Sequence, residues 1–131
     1  MHTIPVSTPS RTAMVDITHR ISDVVQKSGV KNGVCIIFVP HTTAGMTINE
    51  NADPDVVRDI LKETNKVIPF DDNYSHMEGN SAAHIKASIF GFSQHIIIEN
   101  GRLVLGTWQG IYFCEFDGPR SRKAYVKIIE G

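Results

Sequence analysis

The chain has 131 residues, 41% of them hydrophobic, with a net charge of −1. That length and composition suit one domain spanning residues 1–131 with an ordinary core. A charge so close to zero argues against a nucleic-acid-binding surface and leaves room for one local basic pocket.

In chain order, "TAMVDIT" (Thr12–Thr18) reads as a strand ending near Ile17. Ile17, Ile21, Val24 and Val25 then share one face of a helix, which Thr18 can cap and Gly29 can end. "GVCIIFVP" (Gly33–Pro40) is an unbroken apolar run, as in a strand buried on both faces. "MTIN" reads as a short strand. Asp53-Pro54 then reads as an N-cap and first-turn proline for a helix whose stripe is Val56, Val57, Ile60 and Leu61, running to about Asn65. "VIPFDDNYSHMEGNS" is a loop of roughly 15 residues, a length that usually marks function or mobility.

Asn80 or Ser81 can cap a third helix over "AAHIKASIF", stopped near Gly91. "SQHIIIE" and "RLVLG" flank Asn100-Gly101, the strongest short hairpin signal. "GIYFCEFD" and "KAYVKIIE" supply two more strands. Short connections require antiparallel pairing, so the fold class is α+β: three interspersed helices with a large, mostly antiparallel sheet or sandwich.

Cys35 and Cys114 sit in apolar, strand-like runs and form no CxxC pair, so they read as buried hydrophobes in a reducing compartment. No run approaches the ~18 apolar residues of a membrane span, and "MHTIPVSTPSR" has no apolar signal-peptide segment. A soluble, cytoplasmic protein bound to neither membrane nor nucleic acid is expected.

Three stretches carry more polar chemistry than connection needs. In "HTTAGMTINENADPD", His41 follows directly on an apolar strand. Asn49, Glu50 and Asp53 gather at a strand-to-helix junction and are candidate catalytic groups. Their plain alternatives are a backbone-bonded histidine for His41, a solvated carboxylate for Glu50 and a helix cap for Asp53. In "SHMEGNSAAHIKAS", His76 lies in a loop and His84 on the following helix. Together with His41 they can form a three-imidazole site for a divalent metal of zinc type. Glu78 can orient an imidazole or act as a base.

In "GTWQGIYFCEFDGPRSRK", Trp108 and Gln109 sit at a turn where the indole can stack on a heterocycle or simply fill core. Glu115 and Asp117 alternate with apolar residues and are expected on one face. Arg120, Arg122 and Lys123 can clamp a phosphate, or form a solvated basic loop. His2, His19 and His95 read as structural or surface residues. There is no GxSxG elbow, P-loop or dinucleotide fingerprint, and neither cysteine lies in an activating context, which disfavours acyl chemistry.

These three stretches together resemble the YjbQ-like family, also called the secondary thiamine-phosphate synthase enzyme family. The resemblance spans essentially the whole chain, with the motifs in the family's order and spacing. It implies a β-sandwich-containing α+β fold, a homotrimer and a polar cleft of His, Asn, Glu and Asp residues. It also implies a secondary ability to join a pyrimidine pyrophosphate to a thiazole phosphate with release of pyrophosphate. Such a small phosphorylated substrate needs its charge neutralised, by a metal or by Arg and Lys. Three histidines suit a zinc-like metal. Magnesium, the alternative, would lean on Glu50, Asp53 and Glu115. Two other readings share these residues: a non-catalytic trimeric module that binds a small anion or metal, and polar loops that pair across subunits.

Overall fold

The computed structural model describes all of residues 1–131. Eight strands and three helices follow in the order β1 (His2–Ser7), β2 (Ala13–Asp16), α1 (Thr18–Ser28), β3 (Gly33–Phe38), β4 (Ala44–Glu50), α2 (Pro54–Val67), α3 (Ser81–Phe90), β5 (Ser93–Glu99), β6 (Arg102–Leu103), β7 (Gln109–Glu115) and β8 (Ser121–Glu130). They form a five-stranded sheet ordered β1-β8-β3-β5-β6 and a three-stranded sheet ordered β2-β7-β4. Every strand pair is antiparallel. The expected α+β class with a mostly antiparallel sandwich and three helices is the architecture found.

The alternation of side chains explains the layers. Cys35, Ile37, Ile96, Ile98 and Val126 on the large sheet meet Met46, Ile111 and Phe113 on the small one, and Ile17 at the N-cap of α1 joins the same core with Ile21 and Val25 of that helix. The opposite face of β7 puts Tyr112 and Cys114 into a second cluster with Ala83 and Ala87 of α3. Thus β7 is the strand buried on both faces, and β3 is not. The outer face of β3 carries half-buried Val34 and Ile36 and exposed Phe38. An unbroken apolar run alone cannot distinguish a doubly covered strand from one whose second face is left open.

Both cysteine thiols are buried; burial pushes Cys35 up to about 11 and, against an opposing backbone bond from Thr47, Cys114 up to about 12. Desolvation penalises the thiolate, so neither is a nucleophile at neutral pH.

Local chemistry sets most boundaries. Gly29 ends α1 at φ 73°. The Asp53 carboxylate accepts the Asp55 N–H as N-cap, with Pro54 opening α2. Asn100 and Gly101 both take positive φ, 53° and 76°, as the tight hairpin turn requires. Four boundaries differ from expectation. β1 comes from a segment that reads only as polar, because Thr3, Pro5 and Ser7 face outward and His2 is exposed at the strand's start, while only Ile4 and Val6 are buried. β4 extends over seven residues rather than the four of "MTIN". α2 reaches Val67, and the second hairpin strand stops after Leu103.

Candidate functional site

The edge of the two sheets, where β3 leaves for β4 and β7 turns toward β8, opens into a cavity of about 700 Å³. Its walls come from the β3–β4 connection (His41, Thr42, Thr43), the loop before α3 (His76, Glu78), α3 itself with its cap (Asn80, His84), the β7–β8 turn (Asp117, Arg120) and the start of β8 (Arg122). Phe38, Val39, Pro40 and Phe92 supply the apolar part.

Arg122 is the best-held group. Its Nε donates to Glu115 Oε1 at 2.8 Å and its Nη2 to Glu115 Oε2 at 2.5 Å and Thr43 Oγ1 at 2.8 Å. Glu115 is fully buried and also accepts the Thr8 hydroxyl and the Phe116 and Asp117 N–H groups. Burial on its own would raise the Glu115 pKa. The bonds from Arg122, the Asp117 N–H and Thr8 outweigh it and hold the carboxyl below its usual range. The pair is therefore ionised, and the guanidinium is fixed in one pose at the cavity wall. Gly118 permits this packing: a Cβ there would lie 2.5 Å from the Ser10 carbonyl and 2.7 Å from Glu115 Cγ.

His41 is half-buried, and its Nε2 accepts the Lys123 backbone N–H at 3.1 Å. Only a neutral ring can accept there, which leaves the proton on Nδ1. Burial, then the charge of Arg122, lowers the His41 pKa from its ordinary value. His76 and His84 meet edge to face, ring centres 5.2 Å apart. Asn80 Nδ2 donates to Asp117 Oδ2 at 2.8 Å, and Arg120 Nη2 donates to the same oxygen at 3.0 Å. Asn80 is buried, yet its Oδ1 has no partner. Such an orphaned acceptor costs about 1–3 kcal/mol and asks for a donor.

The structure thus brings His41, His76, His84, Glu78, Arg120 and Arg122 to one cavity. Lys123 contributes its backbone N–H to His41, while its ammonium lies 5.6 Å from the Tyr125 ring centre. Asn49, Glu50, Asp53, Trp108 and Gln109 lie elsewhere. Glu50 pairs with Gln109, about 20 Å along β4 from Ala44 at roughly 3.3 Å per residue. Trp108 is exposed at the turn before β7 and neither fills core nor reaches the cavity. Glu115 and Asp117 do not share a face, because β7 ends at Glu115 and the chain bends, leaving one carboxylate buried and the other at the wall.

The residues that sequence reasoning did not assign to the site are Thr42, Thr43, Asn80 and Asp117. Asn80 reads as a cap, but its side chain makes no capping bond.

The donor sets considered for a metal do not fit as placed. No three His, Cys, Asp or Glu side chains come close enough together to hold an ion. The Nε2 of His41 is engaged by Lys123. The carboxylates considered for magnesium are split between a helix cap, the far end of β4 and a buried ion pair.

An α+β sandwich with a polar, imidazole-lined cavity at its sheet edge defines the class. The family model described as "UPF0047 protein YjbQ-like" matches residues 2–131, and the chain belongs to that family. It is 54% identical over 130 residues to the UPF0047 protein YugU of Bacillus subtilis, covering 98% of each chain. A UPF0047 protein of Methanocaldococcus jannaschii is 56% identical over 124 residues, covering 95% of this chain and 90% of its own. Among solved structures, an uncharacterized conserved YjbQ/UPF0047 protein of Clostridium acetobutylicum superposes with a TM-score of 0.97 at 59% identity, covering 98% of this chain and all of the other. One from Sulfolobus solfataricus, described as of unknown function, gives 0.95 at 38% identity over 99% and 96% of the two chains. No helix is long and apolar enough to cross a membrane.

Proposed function

We propose that this protein is a small enzyme whose active site is the cavity at the sheet edge, acting on a phosphorylated or heteroaromatic metabolite. The observation that carries this reading is the convergence of a rigidly held guanidinium, Arg122, with three imidazoles on one cavity of metabolite size. Arg122 and Arg120 take the anionic group. The neutral His41 offers its Nδ1–H to the bound molecule. His84, on the rigid α3, moves the proton, with His76 against its ring. Joining a pyrimidine pyrophosphate to a thiazole phosphate is a secondary activity that suits this arrangement: the arginines neutralise the phosphates and an imidazole protonates the departing group.

Pyrophosphate release from those two substrates tests the proposal. His84→Ala is expected to lower the rate about 10²–10⁴-fold with the fold intact. An unchanged rate would remove His84 from the chemistry. Binding of both substrates without product would make the protein a binding module.

The protein is also proposed to assemble as a homotrimer. The support is the open face of the large sheet, where Val34 stands between Ile97 and Ile129 and both isoleucines are exposed. Sedimentation should show a trimer that Ile97→Lys with Ile129→Lys dissociates. A monomeric wild type would overturn this.

A further inference from the structure

We infer that the cavity selects ligands bearing a hydrogen-bond donor, above all an amine, one short linker away from their anionic group; the inference rests on the anion-taking site proposed above. The carrying observation is the unpartnered Oδ1 of the buried Asn80. Turning the amide over does not cure it. The oxygen would then face the Asp117 carboxylate, and the NH₂ group would be stranded instead.

The position also departs from its usual use. An asparagine at a helix N-cap ordinarily accepts an N–H of its own helix through its side chain. Here the Asn80 backbone carbonyl takes the Ala83 N–H at 3.0 Å, and the side chain is drawn off the helix toward Asp117.

Asp117 Oδ2 ties the acceptor to a cation. It accepts Asn80 Nδ2 at 2.8 Å and Arg120 Nη2 at 3.0 Å. A guanidinium and an unfilled acceptor therefore flank a single carboxylate oxygen. An anionic group on Arg120 and a donor on Asn80 Oδ1 are separated only by that oxygen and the width of an amide, a gap that a two-carbon linker spans. Glu78 and Asp117 line the same cavity, so a cationic donor gains from both carboxylates. A ligand with acceptors only leaves Oδ1 buried and empty. A site built to bond an N–H rejects an analogue lacking it for that reason.

Calorimetry with 2-aminoethyl phosphate, 2-hydroxyethyl phosphate and propyl phosphate tests this on the wild-type protein, since the three differ only in the terminal group. The amine is expected to bind about tenfold more tightly than the propyl compound, with the alcohol between them. In Asn80→Leu the preference is expected to shrink to about threefold or less. Should that variant fail to fold, the wild-type series still decides. Equal affinities for all three overturn the inference and leave the anion site standing. A preference undiminished in a folded Asn80→Leu assigns the selectivity to the carboxylates and overturns the role of Asn80. Binding of none of them overturns this inference together with the anion site.

Discussion

β4 and β7 run side by side between two polar ends of the molecule, and the ends use similar residue types to different effect. At the Glu50–Gln109 end, several polar side chains bond to chain neighbours: Asn49 Oδ1 to the next N–H, Asp53 to an N–H two residues on, Gln109 to one three residues back; the longer-range bond there, Asn51 to Asp16, is exposed. At the Ala44–Glu115 end, the bonds cross the chain: Thr8 to Glu115 over 107 residues, Lys123 to His41 over 82, Arg122 to Thr43 over 79. The first pattern makes caps and turns. The second pulls charge out of water around a cavity, where electrostatic interactions are strong and fixed. Carboxylate and amide content alone therefore does not mark the site; burial with a distant partner does.

The sharpest way to break this contrast is to unpair the buried end. Arg122→Leu leaves the Glu115 carboxylate buried without its counter-ion, and a loss of about 3–5 kcal/mol in unfolding free energy is expected. Glu115→Gln strands the guanidinium instead and should cost a similar amount. Denaturant unfolding measures both, and a combined Glu115→Gln with Arg122→Met should cost less than either alone, because no lone charge then remains. If the single variants lose less than about 0.5 kcal/mol, in the range of surface changes, the pair does not anchor this end.

The same contrast explains how much was readable in advance. Signals that act within a few residues were legible: Gly29 and Asp53 as caps, Asn100-Gly101 as a hairpin turn, the apolar stripes of the helices. So was the antiparallel α+β architecture, because short connections dictate pairing. Which polar residues meet was legible only in part. His41, His76, His84 and the arginines stood out as chemistry-bearing residues near element ends. Glu50 and Asp53 stood out equally, yet β4 continues as a strand for seven residues and carries them to the opposite end. Asn80 was hidden because its sequence position fits a cap, and only the approach of Asp117, 37 residues on, draws the side chain elsewhere. The open face of β3 was hidden because coverage of a strand's second face depends on what packs there, not on the strand.

A smaller effect separates cap from site. Asp53→Ala removes the bond to the Asp55 N–H and should cost about 1 kcal/mol of stability, with ligand affinity unchanged. Thermal unfolding beside calorimetry would show this. A Kd that rises more than about threefold would mean that the Glu50 end also touches ligand.

His41 sharpens the comparison through pH. Its pKa is lowered in the folded protein, first by burial and then by Arg122, so the unfolded chain binds its proton more readily. Stability contributed by the neutral ring is whole above the ordinary histidine value of 6.5 and declines as pH falls from there toward the lowered folded value. His41→Gln should flatten the stability profile in that window. The contribution of Glu115 is lost only at lower pH, below its ordinary value of 4.5, because its folded pKa is lowered as well. An unaltered slope in His41→Gln would assign the pH dependence to other groups.

The smallest effects are expected at the exposed end. Glu50 offers its backbone carbonyl to the Tyr112 hydroxyl at 3.0 Å, so Glu50→Gln keeps that bond and removes only a partly exposed charge. Trp108 contributes its backbone carbonyl to the Asn51 N–H, again independent of the side chain, while the indole stands in solvent. Each change should therefore alter stability by no more than about 0.5 kcal/mol. In a monomeric preparation neither should alter the Kd for a small phosphate. Should sedimentation show the proposed trimer, the same two variants also test it. If they weaken ligand binding only in the trimer, the exposed end of one copy lies against the cavity of another, and the two ends act as halves of one site.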